Sequence, residues 1–254
     1  MSNQASGGGS SGSGLEEAAA GVLTRAIEMD RKKRYLEALT CYREGIAFLL
    51  DVMKSFPKDS PKKTKMRERI EDYMARAEKL KVLVEREKQA GKFHEKIAIE
   101  SGSTGHSYQS VFGSLLDDEL SHVDIEDPFM RQQHQILNLL RFCELLVKRA
   151  ASLHSISLTT GRPETTDMQA FQQKALSELQ KDLKQRGVNF EIHYSDTLHD
   201  REIRFNNGWV VKVGRGLDYF KPVPKFAIGS CDMDLRPCHE TTVDIFHKST
   251  VFNS

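Results

Sequence analysis

The chain lacks any apolar run near the roughly 20 residues a bilayer-spanning helix needs. Its amino terminus has no basic start followed by an apolar core, so no secretory signal is expected. Paired cysteines are missing too. Cys41, Cys143, Cys231 and Cys238 are widely spread, with no two at metal-ligand spacing. Reduced thiols in a cytoplasmic protein are therefore expected, with no metal and no cofactor. Neither sign of charge dominates: 37 Lys and Arg stand against 36 Asp and Glu, a net of +1. Whole-molecule electrostatics thus name no nucleic acid, and any anion-binding surface has to arise from local clustering. Tryptophan is limited to Trp209, just after a turn, which can fill core or reach an interface. What is present, 39% hydrophobic and 29% charged residues over 254 positions, describes a folded protein of one or two domains.

Residues 1–14, MSNQASGGGSSGSG, can bury nothing and read as a flexible tail. From Leu15 three helical segments follow. LEEAAAGVLTRAIEMDRKKR opens acidic and closes basic, which complements the helix dipole. The second, about Tyr35 to Lys54, carries two apolar ridges: Leu39, Tyr42, Ile46, Leu49 and Met53, and beside them Ala38, Cys41, Gly45, Phe48 and Val52. Two ridges mean contact on two sides, as in the middle helix of a bundle. SFPKDSPKK stops it, and a third helix from Pro61 to about Glu87 has the stripe Met66, Ile70, Tyr73, Ala77, Leu80 and Val84. Residues 15–90 thus read as an antiparallel three-helix bundle.

Residues 91–105 mix a short apolar alternation with Gly and Ser and read as a linker. Beyond it, SHVDIEDPF, SLHSISLTT and NFEIHYS read as strands, alternating with the helices RQQHQILNLLRFCELLVKR and MQAFQQKALSELQKDLKQRG. EIRF, NNG and WVVKV form a hairpin around an Asn-Gly turn. This order predicts one α/β domain over 106–254, with a largely parallel sheet and an added antiparallel hairpin.

RYLEALTCYREGIAFLL, followed by YMARAEKLKVLVE, resembles the MIT (microtubule-interacting and trafficking) domain. Its most specific part is the run Tyr73, Arg76, Ala77, Glu78 and Leu80. The resemblance implies binding of the helical carboxyl-terminal tails of ESCRT-III subunits (charged multivesicular body proteins) between the second and third helices. Leu49, Met74 and Glu78 would then be the contacts. The residues permit it: Met74 widens the apolar face, and Glu78 lies one turn later on the same line. A peptide helix could set its leucines on Met74 and a cation on Glu78. Read by periodicity alone, Met74 fills core and Glu78 is a solvated charge.

HDREIRFNNGWVVKVGRG, starting at His199, gathers His199, Arg201, Lys212 and Arg215 into a candidate membrane- or phosphate-binding set. Its spacing resembles the H-x-K-x4-D signature of the phospholipase D superfamily, with Arg201 for the lysine and Asn206 for the aspartate. The serine that usually follows is absent from VGRGLD, and no second histidine repeats the motif. The resemblance implies two converging histidines, so one motif per chain could act only in a homodimer. Asparagine cannot stabilise an imidazolium by charge. His199, Arg201 and Asn206 therefore read as a relic motif that keeps its hold on anionic phospholipid or phosphoinositide without hydrolysing it. The alternatives are an active phosphodiesterase completed by pairing, a domain that only dimerises, and strand residues serving solubility. Arg236, His239, Glu240 and Asp244 can ligate metals but lack metal-site spacing, and Asp218 and Tyr219 carry no signal of their own. The two modules in this order resemble the proteins that join an MIT domain to a phospholipase-D-like domain. That implies action in cytokinetic abscission, at the midbody and on late endosomal membrane.

Overall fold

A computed structural model describes residues 10–57 and 60–248. They form two compact units, divided between Gln89 and Ala90. Residues 1–9 of the expected tail lie outside the described residues, while Ser10 already opens the first helix.

The first unit is the expected bundle: α1 (Ser10–Arg31), α2 (Tyr35–Lys54) and α3 (Pro61–Gln89). Both ridges of α2 turn inward, burying Leu36, Ala38, Leu39, Cys41, Tyr42, Ile46, Leu49 and Val52. Gly45 sets how closely α1 approaches, because a Cβ there would stand 2.5 Å from Cγ of Leu23. On α3 the core side chains are Met66, Ile70, Leu80 and Val84. Helices α1 and α3 are tied by Arg76, which donates twice to Asp30, at 2.6 and 2.7 Å. That pairing holds the Asp30 carboxyl below its ordinary range.

The second unit is built on one seven-stranded sheet, ordered β1-β7-β6-β5-β2-β3-β4. Its strands are β1 (His94–Ile99), β2 (His122–Glu126), β3 (Ser155–Thr160), β4 (Asn189–Tyr194), β5 (Glu202–Phe205), β6 (Trp209–Val213) and β7 (Thr241–His247). Its helices are α4 (Tyr108–Phe112), α5 (Gln133–Arg149) and α6 (Thr166–Gln185). Helices α5 and α6 cross between β2, β3 and β4, and those strands pair parallel. The other four pairings are antiparallel. The expected largely parallel sheet is therefore corrected to a mixed one with antiparallel pairs in the majority. Crossover helices force parallel pairing only where they occur, and β5, β6 and β7 have none between them.

The expected linker is corrected as well. Its residues 94–99 are β1, an edge strand paired with β7 from His94↔Phe246 to Ile99↔Thr241. The Asn-Gly turn joins β5 to β6 as foreseen. Gly208 has φ +95°, and a Cβ there would meet the His247 ring at 2.9 Å. Trp209 is core, 5% exposed, with its ring edge-on to Phe93 at 5.2 Å. Tyr108, Phe112, Phe142 and Tyr219 form a buried aromatic cluster. Gln172, buried on α6, donates to the carbonyls of Met130 and Gly161. It thereby ties the loops after β2 and β3 to each other.

Candidate binding surfaces

In the bundle, Met74 is 53% exposed and Val82 59% exposed. Glu78 is exposed between them, at one-turn spacing on α3. The fold does not need this line, since Ile70, Leu80 and Val84 supply the core on that helix. Tyr73 packs near Tyr42, with ring centroids 6.1 Å apart, and Arg76 clamps Asp30. Most of the sequence signature thus holds the bundle together, leaving Met74 and Glu78 free to meet a partner. Leu49 does not join them. It is 8% exposed and lines a groove bounded by α1 and α3. The groove has a volume of about 430 Å³, apolar along Leu23, Ile27 and Met66 with Lys62, Lys65 and Arg69 on its rim.

In the α/β unit the linear motif does not assemble. Asn206 accepts from the backbone N–H groups of Ser121 and His122, at 2.9 and 3.0 Å, and donates to Ser121 Oγ. It fastens the start of β2. Strand β5 lies between Asn206 and His199, a span of roughly 13 Å at about 3.3 Å per residue. Asn206 cannot orient the His199 ring.

His199, Arg201 and Lys212 do border one open depression, together with Asp200 and Asp244. Carboxylates surround its Lys212. Lys212 Nζ is 3.3 Å from Glu202, and Asp244 also faces His94 at 2.8 Å. Arg204 is taken up by Glu126 and Glu202.

Arg201 also walls a second, smaller cleft of about 150 Å³, with Asp127, Phe129, Gln135, Arg215 and Asp218. Arg215 therefore meets Arg201 here and not in the depression with Lys212. This cleft opens beyond the carboxyl end of β2, where ligands of parallel sheets commonly sit. Asp127 is 3% exposed, and burial pushes its carboxyl up to about 6. Arg201 opposes that shift weakly, because its Nε lies 3.8 Å away and makes no hydrogen bond. The guanidinium instead lies over the Phe129 ring at 4.4 Å. Asp218 accepts from Asn138 at 3.0 Å and faces His134 at 3.1 Å. Sequence reading missed Asp127, Asp218, His134 and Asn138. Only Asp127 left a trace, as the acid before Pro128 where a strand ends.

Among the described residues no three His, Cys, Asp or Glu gather as a metal site, and no helix is long and apolar enough to cross a membrane. The thiols offer no nucleophile in either cleft. Burial pushes Cys143 up to about 12 and Cys238 up to about 11.

A bundle of three helices followed by this mixed sheet agrees with what family comparison finds. Residues 16–82 match the MIT (microtubule interacting and transport) domain, and residues 105–247 match the phospholipase D-like domain at the C-terminus of MIT proteins. The chain belongs to the family of MIT proteins that end in a phospholipase-D-like domain. It is 50% identical over 231 residues to MIT domain-containing protein 1 of Mus musculus, covering 91% of this chain and 92% of that protein.

Proposed function

We propose that this protein is a binding adaptor. Its bundle takes the helical tails of ESCRT-III subunits, and its α/β domain holds anionic, phosphoinositide-bearing membrane without hydrolysing it. The observation that carries the reading is the exposed line Met74, Glu78 and Val82 on a helix whose core is complete without it. MIT domains generally bind such tails, and a peptide helix could lay its leucines on the two apolar side chains with a cation on Glu78. Met74→Asp is expected to weaken binding of an ESCRT-III tail peptide by roughly tenfold or more, as a charge replaces buried apolar contact. The helical circular dichroism should not change. A titration with unaltered affinity would remove the bundle's part of the proposal.

Absence of catalysis belongs to the same proposal. It is supported by Asn206, whose amide is occupied at the far end of β5, and by the single motif in the chain. The competing reading is a phosphodiesterase in which two chains pair their His199 rings. A generic phosphodiester should show no turnover above buffer, whereas turnover abolished by His199→Ala would establish the enzyme. Self-association through the α/β domain, and a cytoplasmic protein recruited to the midbody in abscission and to late endosomal membrane, complete the proposal and rest on family membership.

A further inference from the structure

The loop between β6 and β7 presents apolar side chains outward on a rigid frame. Phe226 is 95% exposed, Ile228 80% and Leu235 51%. They do not dangle. The loop is closed at its base by the Phe220↔Cys238 bridge and by Lys221 N–H on the Pro237 carbonyl at 2.8 Å. Gly105 N–H on the Asp234 carbonyl, at 2.7 Å, ties it to the chain before α4. The Asp234 carboxylate turns inward, accepting from Ser107 N–H at 3.1 Å and Ser110 Oγ at 2.8 Å. Two successive turns form the tip, closed by Ala227 N–H on Pro224 and Ser230 N–H on Ala227. Phe226 sits in the first and Ile228 in the second. Gly229, at φ +86°, lets the returning chain pass, since a Cβ would meet the Leu235 carbonyl at 2.8 Å.

The charges around this loop differ from those around the relic motif. Arg201, Arg204 and Lys212 each face a carboxylate. Among the described residues Arg141, Arg215, Lys221, Lys225 and Arg236 make no ion pair; Arg141 lies near Arg236, and Arg215 and Lys221 both lie near His239. Lys221 donates to Ser101 Oγ, Lys225 lies 5.6 Å from the Phe226 ring, and Arg141 donates to Asn138. Arg236 keeps a buried Nε without a hydrogen-bond partner. Burial and then the Arg141 charge hold Arg236 below its ordinary range, and burial followed by Arg215 and Lys221 does the same to His239. In both, neighbouring cations add to the effect of burial, and at His239 the Asp218 carboxylate offsets part of it. Asp232 is the one exposed acid of the loop, and one of its oxygens is taken by Asp234 N–H.

We propose that the 221–237 loop is the element by which the α/β domain enters an anionic lipid bilayer. Phe226 and Ile228 reach the acyl boundary, while Lys221, Lys225 and the Arg141–Arg236 pair meet headgroup phosphates. The proposal rests on the reading of this domain as membrane-binding, and it moves the contact from His199, Arg201 and Lys212 to a different surface. A bilayer fits better than a protein groove. Three apolar side chains on a loop supply far less than the roughly 800 Å² per partner of a specific protein interface. Lysines beside such a tip can keep their ammonium groups at headgroup level while their stems follow the apolar side chains.

The test uses the full chain with phosphatidylcholine vesicles, with and without phosphatidylserine. Wild type should co-sediment with the anionic vesicles, and F226S/I228S should lose roughly tenfold or more in apparent affinity, as two large side chains stop leaving water. Both side chains are exposed, so the melting temperature should stay unchanged. Should the pair disturb folding, Phe226→Trp gives a second readout, because brominated acyl chains will quench an inserted indole and leave buried Trp209 bright. Wild type and F226S/I228S binding equally well would overturn the loop assignment and leave the membrane reading standing. Failure of wild type to bind any vesicle would overturn both. Vesicle binding unchanged beside a loss of self-association in F226S/I228S would make the loop a contact between copies, and would also overturn the proposal.

Discussion

Gly216→Ala is expected to destabilise the α/β unit by roughly 3–4 kcal/mol, whereas Gly187→Ala should cost only about 1 kcal/mol. Both glycines have positive φ, +61° and +79°, so both substitutions carry the backbone penalty of a side chain in the left-handed region. Their surroundings differ. Nothing lies within 4 Å of a Cβ built at Gly187, but at Gly216 it would stand 2.0 Å from Oδ2 of Asp127 and 3.2 Å from Cδ of Arg201. Asp127 cannot swing aside cheaply. Its side chain is short and buried, and it accepts from the backbone N–H groups of Phe129 and Leu217. Breaking those bonds would strand a buried carboxylate. The two variants therefore separate the conformational cost from the cost of overlap. Chemical denaturation of each checks this, and equal losses would show that the Asp127 contact yields freely.

Asp127 itself should make the unit more stable in acid than its other carboxylates would suggest. Burial raises its carboxyl from an ordinary 3.8 to about 6. The folded-state value lies above that of the unfolded chain, so protonation favours folding. The contribution is fully present below pH 3.8 and is lost as pH rises through about 6. At about 1.4 kcal/mol per pH unit, it amounts to roughly 3 kcal/mol across that window. Asp127→Asn removes the titration and leaves the remaining groups in place. The stability of D127N relative to wild type should therefore climb by roughly 3 kcal/mol between pH 3 and pH 7, whatever its offset. Denaturant midpoints over that range measure it, and a flat difference would show that Asp127 titrates as if exposed.

The bundle was legible because its signals are local. Both ridges of α2 and the stripe of α3 are apolar periods readable within a few turns, and most of each is buried, with Phe48, Met53, Tyr73 and Ala77 half-buried. Strands β2, β3 and β4 were legible for the same reason, being separated by strongly patterned helices. Strand β1 was not. HEKIAI alternates, but it stands beside a Gly/Ser cluster and finds its partner, β7, about 150 positions later. A pairing that distant leaves no turn signal in either segment. At His199 the spacing was legible but its geometry was not: extended backbone carries Asn206 to the far end of β5. The cleft was hidden because Asp127, His134, Arg201 and Asp218 come from three separate stretches. The 221–237 loop has no period at all; only exposure in the fold distinguishes Phe226 and Ile228 from core.

The pairing of β1 with β7 also governs how the α/β unit responds to force. His94 lies opposite Phe246, so the first and last strands of the sheet begin and end side by side. Tension applied at these two positions pulls across the ladder and not along it, loading one hydrogen-bonded pair at a time from that end. Such a ladder opens as a zipper, at far lower load than one sheared lengthwise, where all its bonds resist together. A protein strung between two attachments by those ends would thus have a built-in mechanical fuse. Strand β1 would peel first, while the parallel strands β2, β3 and β4 and their covering helices stayed folded.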